Sequence, residues 1–442
     1  ESLGSIMKFD VAESTLLSIQ QTINYWRHEQ FVPEEVENII PAMDLILTLT
    51  DKYAALVMNP PYMGNVNMNA VLSNYVKRNY EEGKTDLFST FMLLSANRLK
   101  DCGKYGMINM HSWMFLSSFE KLRSSLLNNY HIDSLLHLGP HTFDEISGEV
   151  VQNTAFVISK ATSKKENYCG IYYRLLEGRC CSDKERLFFD AKEMGRNYYP
   201  NVNQDNFKKI SGFPIAYWAS LNVRKSFMCD SISTLADARK GNSTTDNNRF
   251  LRLWFEVNNF YLSIRDKSVH EANAKGKYWI PYNKGGGYRR WYGINENVVY
   301  WKDNGRDIRI CPKSVVTNEK YYMRNGSTWG HINSFKFSCR YFDEGFIFDN
   351  AGNCLYSEQE NVLPLNAYLN CNVFQYLSEF VNPTIGFSSG VVAAMPYIPV
   401  DYNNNIRELA KDNISISRDD WDSHETSWDF EANPLVALRN EK

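Results

Sequence analysis

The stretch YAALVMNPPY, residues 53–62, determines the architecture that the surrounding sequence can adopt. Its first six residues are apolar and end at two prolines, which is the pattern of a short buried strand. Downstream, we predict an amphipathic helix from about residue 86 to residue 100 and a strand over residues 104–110. Strands and helices that alternate at this spacing indicate an α/β fold with a largely parallel, doubly wound sheet.

One more helix and two more strands complete this first predicted domain. Ser117-Ser118-Phe119-Glu120 has the Ser-x-x-Glu spacing of a capping box and predicts the start of a helix. Strands are expected over residues 131–138 and 150–159, and the segment before Asn59 is expected to be helical. The first domain therefore covers residues 1–163, with a Rossmann-like sheet.

The remaining sequence divides into three further segments. Residues 164–230 have few periodic signals and are interpreted as a linking subdomain. In residues 231–400, short aromatic and β-branched runs alternate with Gly, Asn and Asp clusters, which favours a β-rich α+β domain with long loops. Residues 401–442 are charged and helical, and we interpret them as the start of a C-terminal extension. Because Glu1 is not an initiator methionine, we expect the chain to be a fragment.

Composition excludes several classes of protein. A chain of 442 residues with 43% hydrophobic content is long enough for two or three packed domains and is not a disordered tail. No apolar run of about 18 residues and no signal peptide is visible, so we expect a cytoplasmic protein without a membrane span. Nine cysteines without a Cys-x-x-Cys pair argue against a zinc site and a disulfide framework, and we expect no metal.

Charge is distributed unevenly along the sequence. Residues 249–340 contain 17 Lys and Arg against 7 Asp and Glu, a net charge of +10, although the whole chain carries −3. A basic block inside an acidic chain indicates a local site for a polyanion. A solvated surface with a chance asymmetry is the alternative.

The tetrapeptide Asn59-Pro60-Pro61-Tyr62 suits one kind of chemistry. The exocyclic nitrogen of adenine is a poor nucleophile because its lone pair is delocalised into the ring. Two acceptors for its hydrogens, the side-chain oxygen of Asn59 and the carbonyl of Pro60, would favour the tetrahedral geometry needed to attack a methylsulfonium. The prolines stiffen the loop, and Tyr62 would stack on a base swung out of the duplex. A Pro-Pro turn that only ends a strand is the alternative.

These features resemble the γ-type amino-methyltransferases that act on DNA, whose motif is Asn-Pro-Pro-Tyr after a strand of a Rossmann-like sheet. Residues 85–115 and 150–160 look like the helix and strands that follow this motif in the family. The resemblance implies S-adenosylmethionine as cofactor, with Asn59, Asp86 and Phe88 beside it, and it makes Phe156 a candidate for a second stacking ring. Core packing is the favoured interpretation of Phe156. The family's Gly-rich cofactor loop precedes the motif and is not visible in this sequence.

A glycine-rich and basic loop is the main candidate for DNA contact. In NKGGGYRRWYG, residues 283–293, glycines allow the backbone to approach a phosphate, and arginines can bind phosphates or guanine edges. Polar segments at residues 241–257 and 324–352 repeat this mixture. The candidate DNA-binding residues are Thr244, Asn247, Lys284, Gly285, Gly286, Arg289, Arg290 and Arg324. An exposed turn between strands is the alternative.

Three phrases, residues 147–157, 278–293 and 414–430, also resemble the adenine methyltransferases of BREX phage-defence systems. This resemblance implies double-stranded DNA as substrate, methylation of a non-palindromic motif that marks host DNA, and other phage-defence proteins as partners. Four alternatives stay open: a single-chain type IIG restriction-modification enzyme, a DNA-binding module without independent catalysis, a glutamine methyltransferase acting on proteins, and a methyltransferase of RNA adenine.

Overall fold

A six-stranded sheet organises Glu1–Ala219, the first of two units into which the chain divides in the computed structural model. The structure describes residues 3–144, 151–160, 167–332, 336–382, 386–398 and 405–439. The helices and strands of the first unit are, in chain order, α1 (Glu13–His28), α2 (Glu34–Thr50), β1 (Tyr53–Met58), α3 (Ala70–Asn79), α4 (Leu87–Asn97), β2 (Leu99–Met110), α5 (Glu120–Asn129), β3 (His131–Gly139), β4 (Asn153–Ser159), β5 (Cys169–Arg174), α6 (Cys181–Met194) and β6 (Tyr198–Asn203).

The predicted elements of the first domain are confirmed in position, but β1 was expected to be buried and none of its residues is, since β1 lies at an edge of the described sheet. The predicted strand direction is also wrong. The strand order is β1-β2-β4-β3-β5-β6, and only the β1–β2 and β3–β5 pairs are parallel. After β3 the chain turns back and inserts β4 antiparallel between β2 and β3, which needs no crossover helix. The sheet is therefore mixed. Residue 150, the predicted first residue of β4, lies outside the described residues.

The carboxyl ends of four strands meet at one edge of this sheet. Because β1, β2, β3 and β5 all run in the same direction, the residues that follow them lie at one edge, together with the first residue of β4. β5 and β6 come from the segment expected to be a linking subdomain, and they belong to this same sheet.

The helix-start signal was assigned to the wrong helix. Ser117–Phe119 form a short 3-10 turn, α5 begins at Glu120, and no side chain caps either element. The capping box lies instead at the start of α4, where Asp86 accepts from the backbone of the first turn and its own N–H donates to Ser89. Asp and Ser can serve as capping acceptors because their short side chains reach the free N–H groups of a first turn.

Two four-stranded sheets organise the second unit, Ser220–Lys442. Its helices and strands are α7 (Leu221–Ser226), β7 (Ala236–Arg239), α8 (Asn247–Phe250), β8 (Leu251–Leu253), α9 (Val269–Ala274), β9 (Trp279–Asn283), β10 (Asn297–Tyr300), α10 (Lys302–Ile310), β11 (Gly326–Gly330), β12 (Arg340–Phe342), β13 (Ile347–Phe348), β14 (Gly352–Ser357), α11 (Gln359–Asn370), α12 (Asn372–Val381), α13 (Ser389–Ala394), α14 (Asn405–Asp422) and α15 (Pro434–Arg439). The predicted α+β character of this region is confirmed.

The two sheets of the second unit have strand orders β13-β9-β10-β8 and β12-β11-β14-β7. Buried aromatic rings fill them, among them Tyr282, Trp301 and Trp329. The long loops between these short strands carry the candidate recognition residues. Within the described ranges, we find no helix with the length and apolar character that a bilayer crossing requires.

Candidate active site and recognition surface

The Asn-Pro-Pro-Tyr loop lies at the carboxyl edge of the first unit's sheet. β1 ends at Met58, which is paired with Met107 of β2, and the chain leaves the sheet at Asn59. The side chain of Asn59 is exposed, whereas Pro60 is buried. No side-chain hydrogen bond joins Asn59 to any residue that the structure describes. The Asn59 amide is therefore open to a ligand, on a loop that the buried Pro60 anchors.

Tyr62 is held in place by contacts at its hydroxyl and at its ring. The buried amide of Asn153, at the start of β4, donates to the Tyr62 hydroxyl at 2.9 Å. The ring lies edge-on to Phe88, with the ring centroids 6.1 Å apart. Burial raises the pKa of Tyr62, against the opposing effect of the Asn153 hydrogen bond. The tyrosine is therefore a neutral, oriented ring at neutral pH, as a stacking platform requires.

Asp86 connects the Asn-Pro-Pro-Tyr loop to helix α4 through two hydrogen bonds. Its Oδ1 accepts hydrogen bonds from the backbone N–H of Met63 at 3.0 Å and of Phe88 at 3.1 Å. Burial raises the pKa of Asp86, although these backbone bonds oppose the shift. Neither of these two bonds uses Oδ2, so that carboxylate oxygen can accept a further hydrogen bond. The predicted cofactor contact of Asp86 stays a prediction.

The two phenylalanines predicted to touch ligands lie in the hydrophobic core. Phe88 is 1% exposed and packs against Phe119, with centroids 5.4 Å apart. Phe156 is 4% exposed and contacts the rings of Tyr105 and Trp113. The structure thus places Phe156 in the core, as its favoured interpretation expected, and it offers neither ring to a cofactor or a base.

A histidine pair at the same edge was missed by the sequence reasoning. Nδ1 of His111 lies 2.9 Å from Nε2 of His137, and Nδ1 of His137 lies 3.2 Å from the hydroxyl of Tyr217. Burial lowers the pKa of His111 to about 4 and lowers that of His137 well below its usual value. The available signal was position, since His111 directly follows β2 and His137 lies near the end of β3.

We expect this pair to make the stability of the first unit depend on pH. Folding lowers the pKa of His111 from 6.5 to about 4, so the unfolded chain binds more protons between these values. The stabilising contribution of the neutral His111 imidazole is therefore fully present above pH 6.5, and it is lost as the pH falls towards 4. From His111 alone we expect a loss of about 2 kcal/mol between pH 7 and pH 5.

Urea unfolding at both pH values checks this expectation. The variant His111→Asn should lose less stability between pH 7 and pH 5 than the wild-type chain. His28→Asn, which removes an exposed histidine of α1, is the matched control and should behave as the wild type. Equal losses in the wild type and in His111→Asn would contradict the assignment.

In the second unit, close packing against Ala351 and a hydrogen bond from Arg340 hold the glycine-rich loop in place. Gly285 has a φ of +92°, and a Cβ there would lie 2.6 Å from the carbonyl oxygen of Ala351, so only glycine fits. The buried guanidinium of Arg340 donates to the carbonyl of Gly285 at 2.9 Å, and burial lowers the pKa of Arg340 to about 10. Gly286 is exposed, with a φ of +117°. The loop is therefore rigid at Gly285 and presents its backbone from Gly286 onward.

Three of the predicted DNA contacts are engaged within the unit. Lys284 forms an ion pair with the buried carboxylate of Asp349 at 2.9 Å. Arg289 donates to the carbonyls of Tyr292 and Ser417 and to the carboxylate of Asp420. Thr244 is 2% exposed, and its hydroxyl donates to Oδ1 of Asn247 at 2.7 Å. These side chains position neighbouring residues, and their cationic or polar groups are already paired.

Three other predicted contacts are open. Arg290 forms no ion pair with any described residue, and its Nε is buried without a hydrogen-bond partner. Arg324 is exposed, with its guanidinium 5.8 Å from the centroid of the Tyr321 ring. Asn247 is exposed and lines a cleft that Lys284 also lines; its Oδ1 accepts from Thr244, but its Nδ2 has no hydrogen-bond partner among the described residues. Arg290, Arg324 and Asn247 are therefore the members of the predicted set that remain available to a nucleic acid.

Comparison with known proteins gives consistent results. Residues 7–143 match the family described as Eco57I restriction-modification methylase. The chain is 36% identical over 411 residues to the adenine-specific methyltransferase BrxX of Escherichia coli O9:H4 (strain HS), covering 91% of the chain and 32% of that protein. It is 38% identical over 399 residues to the adenine-specific methyltransferase PglX of Lacticaseibacillus casei (strain Zhang), covering 88% of the chain and 33% of that protein.

Among solved structures, the type IIL restriction-modification enzyme MmeI in complex with DNA is similar in fold, with a TM-score of 0.53 at 13% identity. This match covers 86% of the chain and 51% of that structure's chain. The chain spans about a third of the length of the curated relatives it matches. Residues 7–143 therefore match the Eco57I restriction-modification methylase family, and about 90% of the chain is similar to the adenine-specific methyltransferases BrxX and PglX.

Proposed function

We propose that the protein containing this chain transfers a methyl group from S-adenosylmethionine to N6 of adenine in double-stranded DNA. One observation carries the proposal: the open side chain of Asn59 follows β1 directly, on a loop fixed by Pro60, Tyr62 and Asp86. The names of the relatives, adenine-specific methyltransferases, support the same reaction.

The residues of the loop act on the amine and on the ring of the base. Oδ1 of Asn59 and the carbonyl of Pro60 accept the two hydrogens of N6, which makes the lone pair available for attack. The ring of Tyr62 stacks on the extruded base, because a base within the duplex cannot reach the loop. The rigid loop and the hydrogen bond from Asn153 orient these groups before the base arrives.

Two residues of the first unit are suited to hold part of S-adenosylmethionine. Oδ2 of Asp86 is open and can accept a hydrogen bond from the adenine moiety of S-adenosylmethionine, and the exposed amide of Asn59 borders the same edge. Phe88, in contrast, is buried and cannot supply the predicted aromatic contact. When bound, S-adenosylmethionine supplies the electrophilic methyl group.

The second unit supplies the DNA contacts in this proposal. The basic block of residues 249–340 provides the electrostatic attraction, and Arg290, Arg324 and Asn247 provide open side chains. The exposed backbone of Gly286 allows close approach of a phosphate. In the cell, we propose that methylation marks host DNA within a phage-defence system whose other proteins are partners.

Expression of the complete protein that contains this chain tests the proposed function. The host cells lack their own adenine methyltransferases, and N6-methyladenine in their genomic DNA is measured by mass spectrometry. The expected result is methyladenine within a defined sequence motif. A well-expressed protein that leaves genomic adenine unmethylated, with S-adenosylmethionine present in the cell, would refute the proposed function.

Two adjacent arginines should separate DNA binding from folding. Arg290→Ala is expected to weaken duplex binding severalfold and to reduce the salt dependence by about one phosphate contact, because its guanidinium lies beside the Tyr288 ring and forms no ion pair with a described residue. Arg289→Ala is expected to lower the free energy of unfolding by about 1 to 2 kcal/mol, because it loses the bonds to Ser417 and Asp420.

Fluorescence anisotropy across a salt series and urea unfolding measure the two effects. Arg306→Ala is the matched control, since this exposed arginine is paired with Asp303 and Asp307. Unchanged affinity in Arg290→Ala would place DNA recognition elsewhere on the unit.

A further inference from the structure

The hydrogen-bonded chain of His111, His137 and Tyr217 ends beside the catalytic tyrosine, which suggests a role in reading the base. Met110 is paired with Asn153, whose amide donates to the hydroxyl of Tyr62. His111 follows Met110, and its backbone N–H donates to the carbonyl of Gln152 at 2.8 Å. Tyr62 and His111 are thus attached to two consecutive residues at the start of β4.

Both groups also belong to one side of the sheet. Tyr62 packs against the buried cluster that contains Phe88, and the same cluster contains Phe115 and Tyr217. The His111 ring lies edge-on to Phe115, with the centroids 5.7 Å apart. The imidazole of His111 is therefore fixed in orientation against the same buried cluster on which Tyr62 packs.

The direction of the hydrogen bonds follows from the number of available hydrogens. Tyr217 is 3% exposed, and its hydroxyl has Nδ1 of His137 as its acceptor. A buried hydroxyl that fails to donate is costly, so Tyr217 donates and Nδ1 of His137 is unprotonated. The neutral His137 ring then carries its hydrogen on Nε2 and donates to Nδ1 of His111. His111 is left with its hydrogen on Nε2.

The surrounding charges keep this chain neutral. Burial lowers the pKa of both histidines; for His137, protonation of His111 would lower it further, and the positive charges of Arg174 and Lys184 add to the effect. No described residue hydrogen-bonds Nε2 of His111. The chain therefore presents a single unpaired N–H donor at the carboxyl edge of the sheet.

We propose that this Nε2–H of His111 donates a hydrogen bond to a ring nitrogen of the target adenine, N1 or N7. Both nitrogens are acceptors on the edges of the base next to the amine, since N1 is bonded to C6 and N7 is bonded to the neighbouring C5. The inference rests on the proposed function and makes His111 a base-recognition residue, with His137 and Tyr217 as positioning residues. A neutral donor of this kind contributes about a fivefold to tenfold preference.

The hydrogen positions can be measured without any substrate. Long-range nitrogen–hydrogen NMR correlation on the 442-residue chain with ¹⁵N-labelled histidine should show both His111 and His137 as the neutral Nε2–H form at pH 7. In Tyr217→Phe the constraint on His137 is lost, and we expect a mixture of ring forms. His111 in the Nδ1–H form in the wild type would overturn the proposal, whether or not the protein is a methyltransferase.

The contact itself is tested with base analogues in the complete protein. Duplexes carry adenine, 1-deazaadenine or 7-deazaadenine at the mapped target position, and both affinity and methylation rate are measured. The wild type should lose fivefold to tenfold on one analogue only. His111→Ala should treat that analogue and adenine alike, whereas His111→Gln, which keeps an N–H donor, should retain part of the preference.

Two results would refute the contact. One is a wild type that treats both analogues as it treats adenine, and the other is a His111→Ala variant that retains the wild-type preference. Absence of methyladenine from the wild-type product would instead refute the proposed function, and the NMR measurement would then decide the hydrogen-bonded chain by itself.

Discussion

Replacing Asn59 with alanine in the complete protein is expected to lower the methylation of DNA adenine by at least about a hundredfold. In the proposed mechanism the side-chain oxygen of Asn59 accepts a hydrogen from N6 and frees its lone pair, and loss of one such oriented group typically reduces a rate by about 10² to 10³. The Asn59 side chain is exposed and forms no side-chain hydrogen bond within the described part of the chain, so its loss should leave the fold unchanged.

Mass spectrometry of genomic DNA and single-turnover kinetics on a target duplex measure this loss. Asn67→Ala is the matched control, because Asn67 is an exposed asparagine just beyond the same loop. Equal melting temperatures for the three proteins would confirm that the fold is intact. Methylation by Asn59→Ala at more than a tenth of the wild-type rate would contradict the proposed role.

Replacing Arg123 with alanine is expected to destabilise the first unit by about 3 kcal/mol. Arg123 of α5 is 1% exposed, and its guanidinium donates to the carbonyls of Trp113, Leu116 and Gly212. Burial lowers its pKa to about 10, against the opposing effect of the Glu120 carboxylate. Each carbonyl left without a donor costs about 1 kcal/mol.

Urea unfolding of the chain at pH 7 gives the measurement. Lys121→Ala changes an exposed cation on the same helix, which pairs with the exposed Glu81, and should leave the stability close to that of the wild type. If Arg123→Ala unfolds at the same urea concentration as the control, the buried hydrogen bonds contribute far less than this account requires.

The helix and strand next to the Asn-Pro-Pro-Tyr loop could be predicted from the sequence alone. The run YAALVM, its Pro-Pro stop and the apolar spacing of α4 are local signals, and β1 and α4 occur where these signals lie. Strand direction was not predictable in the same way, because it depends on where β4 enters the sheet. That choice is made by packing between elements that are distant in sequence, and no local pattern encodes it.

The candidate DNA-binding residues show the same limit of prediction from local sequence. Arg289 and Arg290 are adjacent, basic and indistinguishable by local pattern, yet Arg289 is neutralised by Asp420 and Arg290 is not. The acidic partner lies 131 residues further along the chain. Sequence reasoning located the loop, but only the structure shows which of its cations is free. The histidine pair was missed for the same reason, since His111 follows β2 and its partner His137 lies on β3.

The contacts of α14 with the glycine-rich loop set a boundary for any chimera between relatives. Ser417 donates to the carbonyls of Arg290 and Tyr292, and Trp254 donates to the carbonyl of Thr426. A chimera that exchanges residues 241–352 alone, in order to change the DNA sequence preference, would separate the glycine-rich loop from its contacts with α14. The transferable module for engineering new specificity therefore extends at least to Asp429, whose carboxylate pairs with Arg265.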